Sequence, residues 1–273
     1  MTEPLAAREP GPTIVVPAPR RKRRGVGVLI GLLVVVVLLA VAAIVGESLA
    51  RAYAQDYVRD RILESLPVDP STPIDVRVGG GPVLLQALAG RMTEIDATIP
   101  EFVVGGVSGS AEVSARGIPL DETQPTDALR IDVRIPESGV QTLSSYLSGI
   151  DLESIELGGG LITVTTTLDL VLVQLPVSIG LAPSAADGGI AFSPETITLE
   201  GQAISVDDLR SNPLVSSLAG SLLNSQTFCI ADSLPAAFSV TDVAVEGSDL
   251  VATIEGDGIA FGDPALLQTG TCP

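Results

Sequence analysis

Twenty-two consecutive residues, Gly25 to Gly46, carry no charge and include the aliphatic run Leu32 to Leu39. Coiled as a helix, a stretch of that length is about 33 Å long, enough to cross the hydrocarbon core of a bilayer. The run therefore divides the chain into a tail (1–24), a transmembrane signal anchor (25–46) and a domain of residues 47–273. Arg20, Arg21, Lys22, Arg23 and Arg24 precede it directly, whereas Arg51, Arg59 and Arg61 on the far side are mixed with Glu47, Asp56 and Asp60. By the positive-inside bias the tail is cytoplasmic and residues 47–273 are extracytoplasmic, so the expected location is the cell membrane, crossed once. A cleaved signal peptide ending near Ala40-Val41-Ala42 is the rival reading. The run exceeds the roughly 7–15 residues of a signal core, which favours a retained anchor. Pro4, Pro10, Pro12, Pro17 and Pro19 mark the tail as disordered.

Charge separates the two sides. Residues 1–46 hold six basic residues and two acids, whereas residues 47–273 hold nine arginines, no lysine and 31 acids. A domain this acidic repels polyphosphate, which excludes nucleic acid as a partner. The chain has no histidine, and with it go the serine triad, the Cys-His dyad and His-containing zinc sites. Paired carboxylates are the remaining catalytic machinery. A carboxylate-dependent glycan hydrolase needs aromatic sugar platforms, and the domain has no tryptophan and only Tyr53, Tyr57, Tyr146, Phe102, Phe192, Phe228, Phe238 and Phe261. The chain reads as a non-enzyme with no catalytic residue and no cofactor. Asp207-Asp208 and Glu255-Gly256-Asp257 lack calcium-loop spacing and read as turns, so no metal site is expected. Gly79-Gly80-Gly81 and Gly158-Gly159-Gly160 are turns rather than phosphate loops, since no Gly-Lys-Ser/Thr follows.

Cys229 and Cys272 both lie beyond the anchor, where an oxidising compartment lets thiols pair, and one disulfide is expected. The alternative is a nucleophilic thiol, but no histidine or lysine stands in the domain to lower its pKa.

Alternating apolar and polar residues predict strands at Ile74–Val78, Thr93–Ile99, Ala111–Ala115, Leu129–Ile135, Ile162–Leu168, Thr196–Glu200, Val240–Val245 and Leu250–Ile254. Leu170 to Leu175, apolar at nearly every position, predicts a strand buried on both faces. Together they indicate one large antiparallel sheet. Helical spacing of Leu49, Ala50, Tyr53, Tyr57, Val58, Ile62 and Leu66 predicts an amphipathic helix packed on the domain and ending near Pro67. Shorter helices are predicted after Pro82 (Leu84, Leu85, Leu88, stopped by Gly90), at Val140, Leu143 and Leu147, and from Asn212 to Asn224 with Leu214, Leu218 and Leu222 on one stripe. Ser211 to Ile230 carries no charge at all. A sheet with such aliphatic helices either packs a solid core or curls around an apolar cavity suited to acyl chains, and the residues leave both open.

Two stretches resemble a known family. Ile74 to Gly90, IDVRVGGGPVLLQALAG, is similar to the opening of the actinobacterial LmeA-like phospholipid-binding family, where a strand and glycine precede a Pro-led apolar turn ending in Gln and Gly. Cys229-Ile230-Ala231-Asp232-Ser233-Leu234-Pro235, followed by Val240–Val245 and Leu250–Gly256, resembles its C-x-A-x-x-L-P segment and closing hairpin. The likeness spans roughly residues 47 to 262, departing at Val83 and in the C-terminal extension Gly270-Thr271-Cys272-Pro273. It implies an α+β tubular lipid-binding fold: an N-terminal transmembrane helix, then a strongly curved antiparallel sheet wrapping a long helix around an apolar cavity. It further implies phospholipid or lipoglycan as the partner and a part in envelope lipid upkeep at the cytoplasmic membrane. The uncharged helical stripes, rather than the resemblance, give the expected lipid contacts: Leu84, Leu85, Leu88, Leu214, Leu218 and Leu222. A non-catalytic envelope interaction module with a solid core is the alternative, and the sequence names no protein partner.

Overall fold

The computed structural model describes residues 24–65, 69–104, 106–144, 153–170, 173–186, 188–211 and 224–272. The chain divides after Val45 into two compact units. Helix α1 (Arg24–Ser65) supplies the described part of the first unit and opens the second. By length and composition it is long and apolar enough to cross a membrane.

In the second unit α1 is followed by β1 (Asp75–Gly79), α2 (Val83–Leu88), β2 (Arg91–Val104), β3 (Val107–Pro119), β4 (Ala128–Pro136), α3 (Glu137–Ser144) and β5 (Ser154–Gly158). Then come β6 (Leu161–Leu170), β7 (Val173–Ala186), β8 (Gly189–Leu199), β9 (Gln202–Ser205), α4 (Val206–Ser211), β10 (Gln226–Cys229), β11 (Ser239–Glu246) and β12 (Asp249–Gly256). All the ladders among the described residues are antiparallel, so the unit is α+β with antiparallel sheets. Alternation explains the strands: in β1, Val76 and Val78 are buried while Asp75 and Arg77 face water.

The strands form two six-stranded sheets rather than one. The first runs β1-β2-β3-β4-β12-β11, the second β10-β8-β7-β6-β5 with β9 beside β8. The division falls at β4, whose edge is taken by β12 from Leu129↔Gly256 to Pro136↔Asp249, leaving no edge there for β5. The apolar run Leu170 to Leu175 is likewise not one strand. Leu170 ends β6 and pairs with Val173 at the start of β7, and Leu168 pairs with Leu175, so the run straddles a reversal. No glycine or proline marks that reversal, which is why the pattern read as continuous. Asp207 and Asp208 sit in the first turn of α4, not in a turn between strands, because Val206 buries behind them.

The Gly46–Ser65 portion of α1 packs on the first sheet. Val58, Ile62 and Leu63 rest against buried Ile74, Val76, Ala97, Ile99 and Ala111, while Ala50 and Ala54 rest against Val78, Val83 and Met92. Leu49, Tyr53 and Tyr57, expected on the packed stripe, are exposed. The helix turns Ala50 and Ala54 inward, where a small side chain lets the backbone come close to β1. Gln55 then donates from Nε2 to the Val76 carbonyl at 2.8 Å, and the Arg51 guanidinium reaches the Val78 carbonyl. Side chains four apart on a helix are about 6 Å apart along its axis, close to the spacing of alternate carbonyls on a strand. β1 is an edge strand, and these bonds cap its outward carbonyls. A further cluster of Val140, Ile155, Leu157, Ile162 and Val245 joins α3 to strands of both sheets.

Candidate functional site

Helix α2 begins where Pro82 fixes the backbone for a first helical turn, and it ends before Gly90, whose φ of 73° few other residues adopt. Of its six residues, Val83 and Gln86 point inward, one turn apart, and are buried. Leu84, Leu85 and Leu88 consequently point outward, 41%, 62% and 85% exposed. The three leucines expected from the sequence to contact lipid therefore share one apolar surface. Leu214, Leu218 and Leu222, with most of the expected helix from Asn212 to Asn224, lie outside the described residues.

Polar side chains fix this short helix. The Glu47 carboxylate on α1 accepts the backbone N–H of Val83 at 2.7 Å and that of Leu84 at 3.1 Å, satisfying two of the unpaired donors at the helix start. Arg51, one turn on, donates to Glu47 at 3.0 Å and to the Gly81 carbonyl at 2.9 Å. From below, buried Gln86 donates from Nε2 to the carbonyls of Gly79 at 2.8 Å and Gly81 at 3.2 Å, and its Oε1 accepts the Thr93 N–H at 2.7 Å. The triple glycine that these bonds hold must be glycine at Gly80: φ is 76°, and a Cβ there would sit 2.3 Å from that of Thr93. Sequence reading missed Glu47, Arg51 and Gln86 as a unit. The available signal was Glu47 and Arg51 four residues apart on the packed face of the helix.

A second feature lies at the other end of the chain. A cleft of about 620 Å³ is lined by Ala185, Ile230, Leu234, Phe238, Val240 and the strap Thr269 to Thr271, among others, with no charged residue in the lining. The strap is bonded in place. Gly270 donates to the Leu234 carbonyl at 3.0 Å, Ala236 donates to Gln268 at 2.8 Å, and Pro235 bridges to Thr269. Cys229 and Cys272 form the expected disulfide, closing the strap against β10 with Cα atoms 5.9 Å apart. In volume the cleft falls within the range of small-ligand sites. The charge-free stretch Ser211 to Ile230 reaches the cleft at Ile230, whereas Leu84, Leu85 and Leu88 are not in its lining.

Some of the acids pair with arginines at the surface. On the first sheet Arg130 binds Asp132 through Nε at 2.8 Å and Nη2 at 2.9 Å, and Glu255 through Nη1 at 3.0 Å, while the hydroxyl of buried Thr253 donates to Asp132 at 2.7 Å. The Arg130 guanidinium holds the Asp132 carboxyl below the ordinary aspartate value, and the Thr253 hydroxyl adds to this. Asp207 pairs with Arg210 at 3.1 Å. Among the described residues no three cysteine, aspartate or glutamate side chains converge as a metal site would require.

Residues 45–255, more than three quarters of the chain, match the family described as LmeA-like phospholipid-binding. The chain belongs to this family. The match covers α2 with its brace and both sheets, but stops short of the strap that closes the cleft. No curated protein and no solved structure matches the chain.

Proposed function

We propose that this chain is a single-pass, membrane-tethered protein whose extracytoplasmic domain, residues 47–273, binds a phospholipid or a related envelope lipid through its acyl chains, without catalysis, in cell-envelope lipid or lipoglycan maintenance. The single observation that carries this reading is membership of the LmeA-like phospholipid-binding family over residues 45–255. The uncharged run at residues 25–46, with basic residues before it and none of its own, supports the tether, with residues 1–24 in the cytoplasm.

Within the domain, two features support lipid contact: an uncharged cleft and an exposed aliphatic helix face. The uncharged cleft bounded by Ile230, Leu234, Phe238 and Val240 takes acyl methylenes, each contributing about 0.8 kcal/mol on leaving water. Leu84, Leu85 and Leu88 meet lipid at the membrane surface rather than around the bound chain, and Leu214, Leu218 and Leu222 are proposed as further acyl contacts. The headgroup stays at the mouth, where Thr269 and Thr271 offer hydroxyl partners.

The test is photo-crosslinking of the full chain in vesicles containing a phospholipid with a diazirine near its acyl terminus. Adducts on peptides containing Ile230, Leu234 or Phe238 are expected, and competition by unlabelled phospholipid should remove them. Adducts confined to residues 25–46 would mark a membrane span with no lipid site.

A further inference from the structure

We infer that the outer face of α2 is a bilayer-docking surface, seated in the interfacial layer of the membrane that the uncharged run crosses; this rests on the tether reading above. Leu84, Leu85 and Leu88 are a contiguous aliphatic face on a helix that Glu47, Arg51 and Gln86 hold rigidly against the sheet. Among the described residues Val83 and Gln86 anchor α2 to the core, and the three leucines are left outward.

Chain connectivity selects the occupant. Glu47 directly follows Gly46, the last residue of the run, and its carboxylate accepts the first two N–H groups of α2. One peptide unit, one side chain and one hydrogen bond span on the order of 10 Å, so α2 lies that close to the end of the run whatever direction the run takes. The headgroup layer is of comparable depth: a bilayer of about 40–45 Å has a core of about 30 Å.

Charge agrees. The domain carries 31 acids in residues 47–273, which would repel an anionic surface, yet residues 76–93 contain Arg77 and Arg91 and no acid at all. In space Arg77 pairs with Asp75, Arg91 with Asp127, and the Glu47 carboxylate at the start of α2 with Arg51, so the acids beside α2 are each matched by an arginine and the segment approaches headgroups with less of that penalty. On α1, Leu49 is 67% exposed and Tyr53 73% exposed, about 4.5 and 10 Å of helical rise beyond Gly46. An exposed leucine and then a tyrosine suit the passage from acyl boundary to headgroup layer.

The consequence is that the domain is held against the leaflet by two attachments, the span and α2, and meets lipid at the surface from which lipid is drawn. The test uses the full chain with Leu88→Cys; both native cysteines are paired, so the introduced thiol alone takes a fluorophore. Leu88 is a solvent-facing position, so the label leaves the core intact. A second chain carries the label at Asp242→Cys on β11, at the edge of the first sheet opposite β1. Both are reconstituted in vesicles of phosphatidylcholine and phosphatidylglycerol containing headgroup- or shallow-acyl nitroxide lipids. The expected result is loss of most of the fluorescence at position 88 and none at position 242. A chain that floats with the vesicles but keeps position 88 bright overturns the inference and leaves the tether standing. Equal quenching of position 88 in detergent micelles by one equivalent of nitroxide phospholipid also overturns it, because the lipid is then held in a groove beside α2. A chain that does not float with the vesicles overturns the tether reading and this inference together.

Discussion

The backbone N–H of Val83 donates to the carboxylate of Glu47 at 2.7 Å, across 36 residues of sequence. A side chain of one helix thereby acts as the N-terminal cap of another, and Arg51 holds the carboxylate in place from the next turn. Glu47→Ala should lower stability, because two donors at the start of α2 lose their acceptor. Amide hydrogen exchange at Val83 and Leu84 should accelerate, while exchange in β6 and β7 should not change. Unaltered protection at those two amides would show that α2 is held by its buried residues alone.

Gln86 carries a heavier burden than its neighbours because it is buried and its partners are too constrained to find others. Gln86→Met keeps the volume but leaves the carbonyl of Gly79 and the N–H of Thr93 without their bonds. A cost of about 1–3 kcal/mol in chemical denaturation is expected, the penalty of leaving buried polar groups unpaired. A neutral Gln86→Met would mean that water replaces the amide.

The Cys229–Cys272 disulfide closes a separation of 43 residues. In the chain-entropy account a loop of that size is worth about 4 kcal/mol, less any native strain. Cys229→Ser with Cys272→Ser should lower the unfolding midpoint accordingly and accelerate exchange at Gly270 and Ala236, the amides that fasten the strap. Reductant should reproduce both changes in the native chain and leave the double variant unaffected.

Asp132 provides a pH prediction with a defined sign. Its carboxyl is held below the ordinary value of about 3.9 in the folded chain. The stabilisation from the Arg130 and Thr253 bonds is therefore complete above that value and is lost as pH falls through the lower folded value. Stability should decline below about pH 4 more steeply in the native chain than in Asp132→Asn. Identical acid limbs in the two denaturation profiles would contradict the assignment.

Local physics made much of the fold legible. A strand with one wet face writes its alternation into sequence, and the segments at Ile74, Thr93, Ala111, Leu129, Ile162, Thr196, Val240 and Leu250 all lie in or overlap strands. What sequence withheld was pairing. The capture of β4 by β12, some 120 residues later, splits the strands into two sheets, and no local pattern encodes it. The apolar run at Leu170 hid a reversal because it lacks turn residues. On α1, counting large apolar residues overrated Leu49, Tyr53 and Tyr57 and overlooked Ala54, whose small size lets the helix approach the sheet. At the site, Leu84, Leu85 and Leu88 were readable as an apolar turn. The polar brace was not, since Glu47 and Gln86 acquire their roles only when distant backbone is brought to them. The cleft was not legible as a site: among the described residues none expected to contact lipid is in its lining, and the uncharged stretch reaches it only at Ile230.

The central claim is that the domain holds a phospholipid, and native mass spectrometry of the full chain released from its membrane tests it most directly. The account predicts a population carrying one added phospholipid mass that survives removal of detergent and is displaced by a second phospholipid of different acyl length. A chain that is observed only bare, at phospholipid concentrations where an unrelated single-span protein begins to acquire adducts, would contradict it.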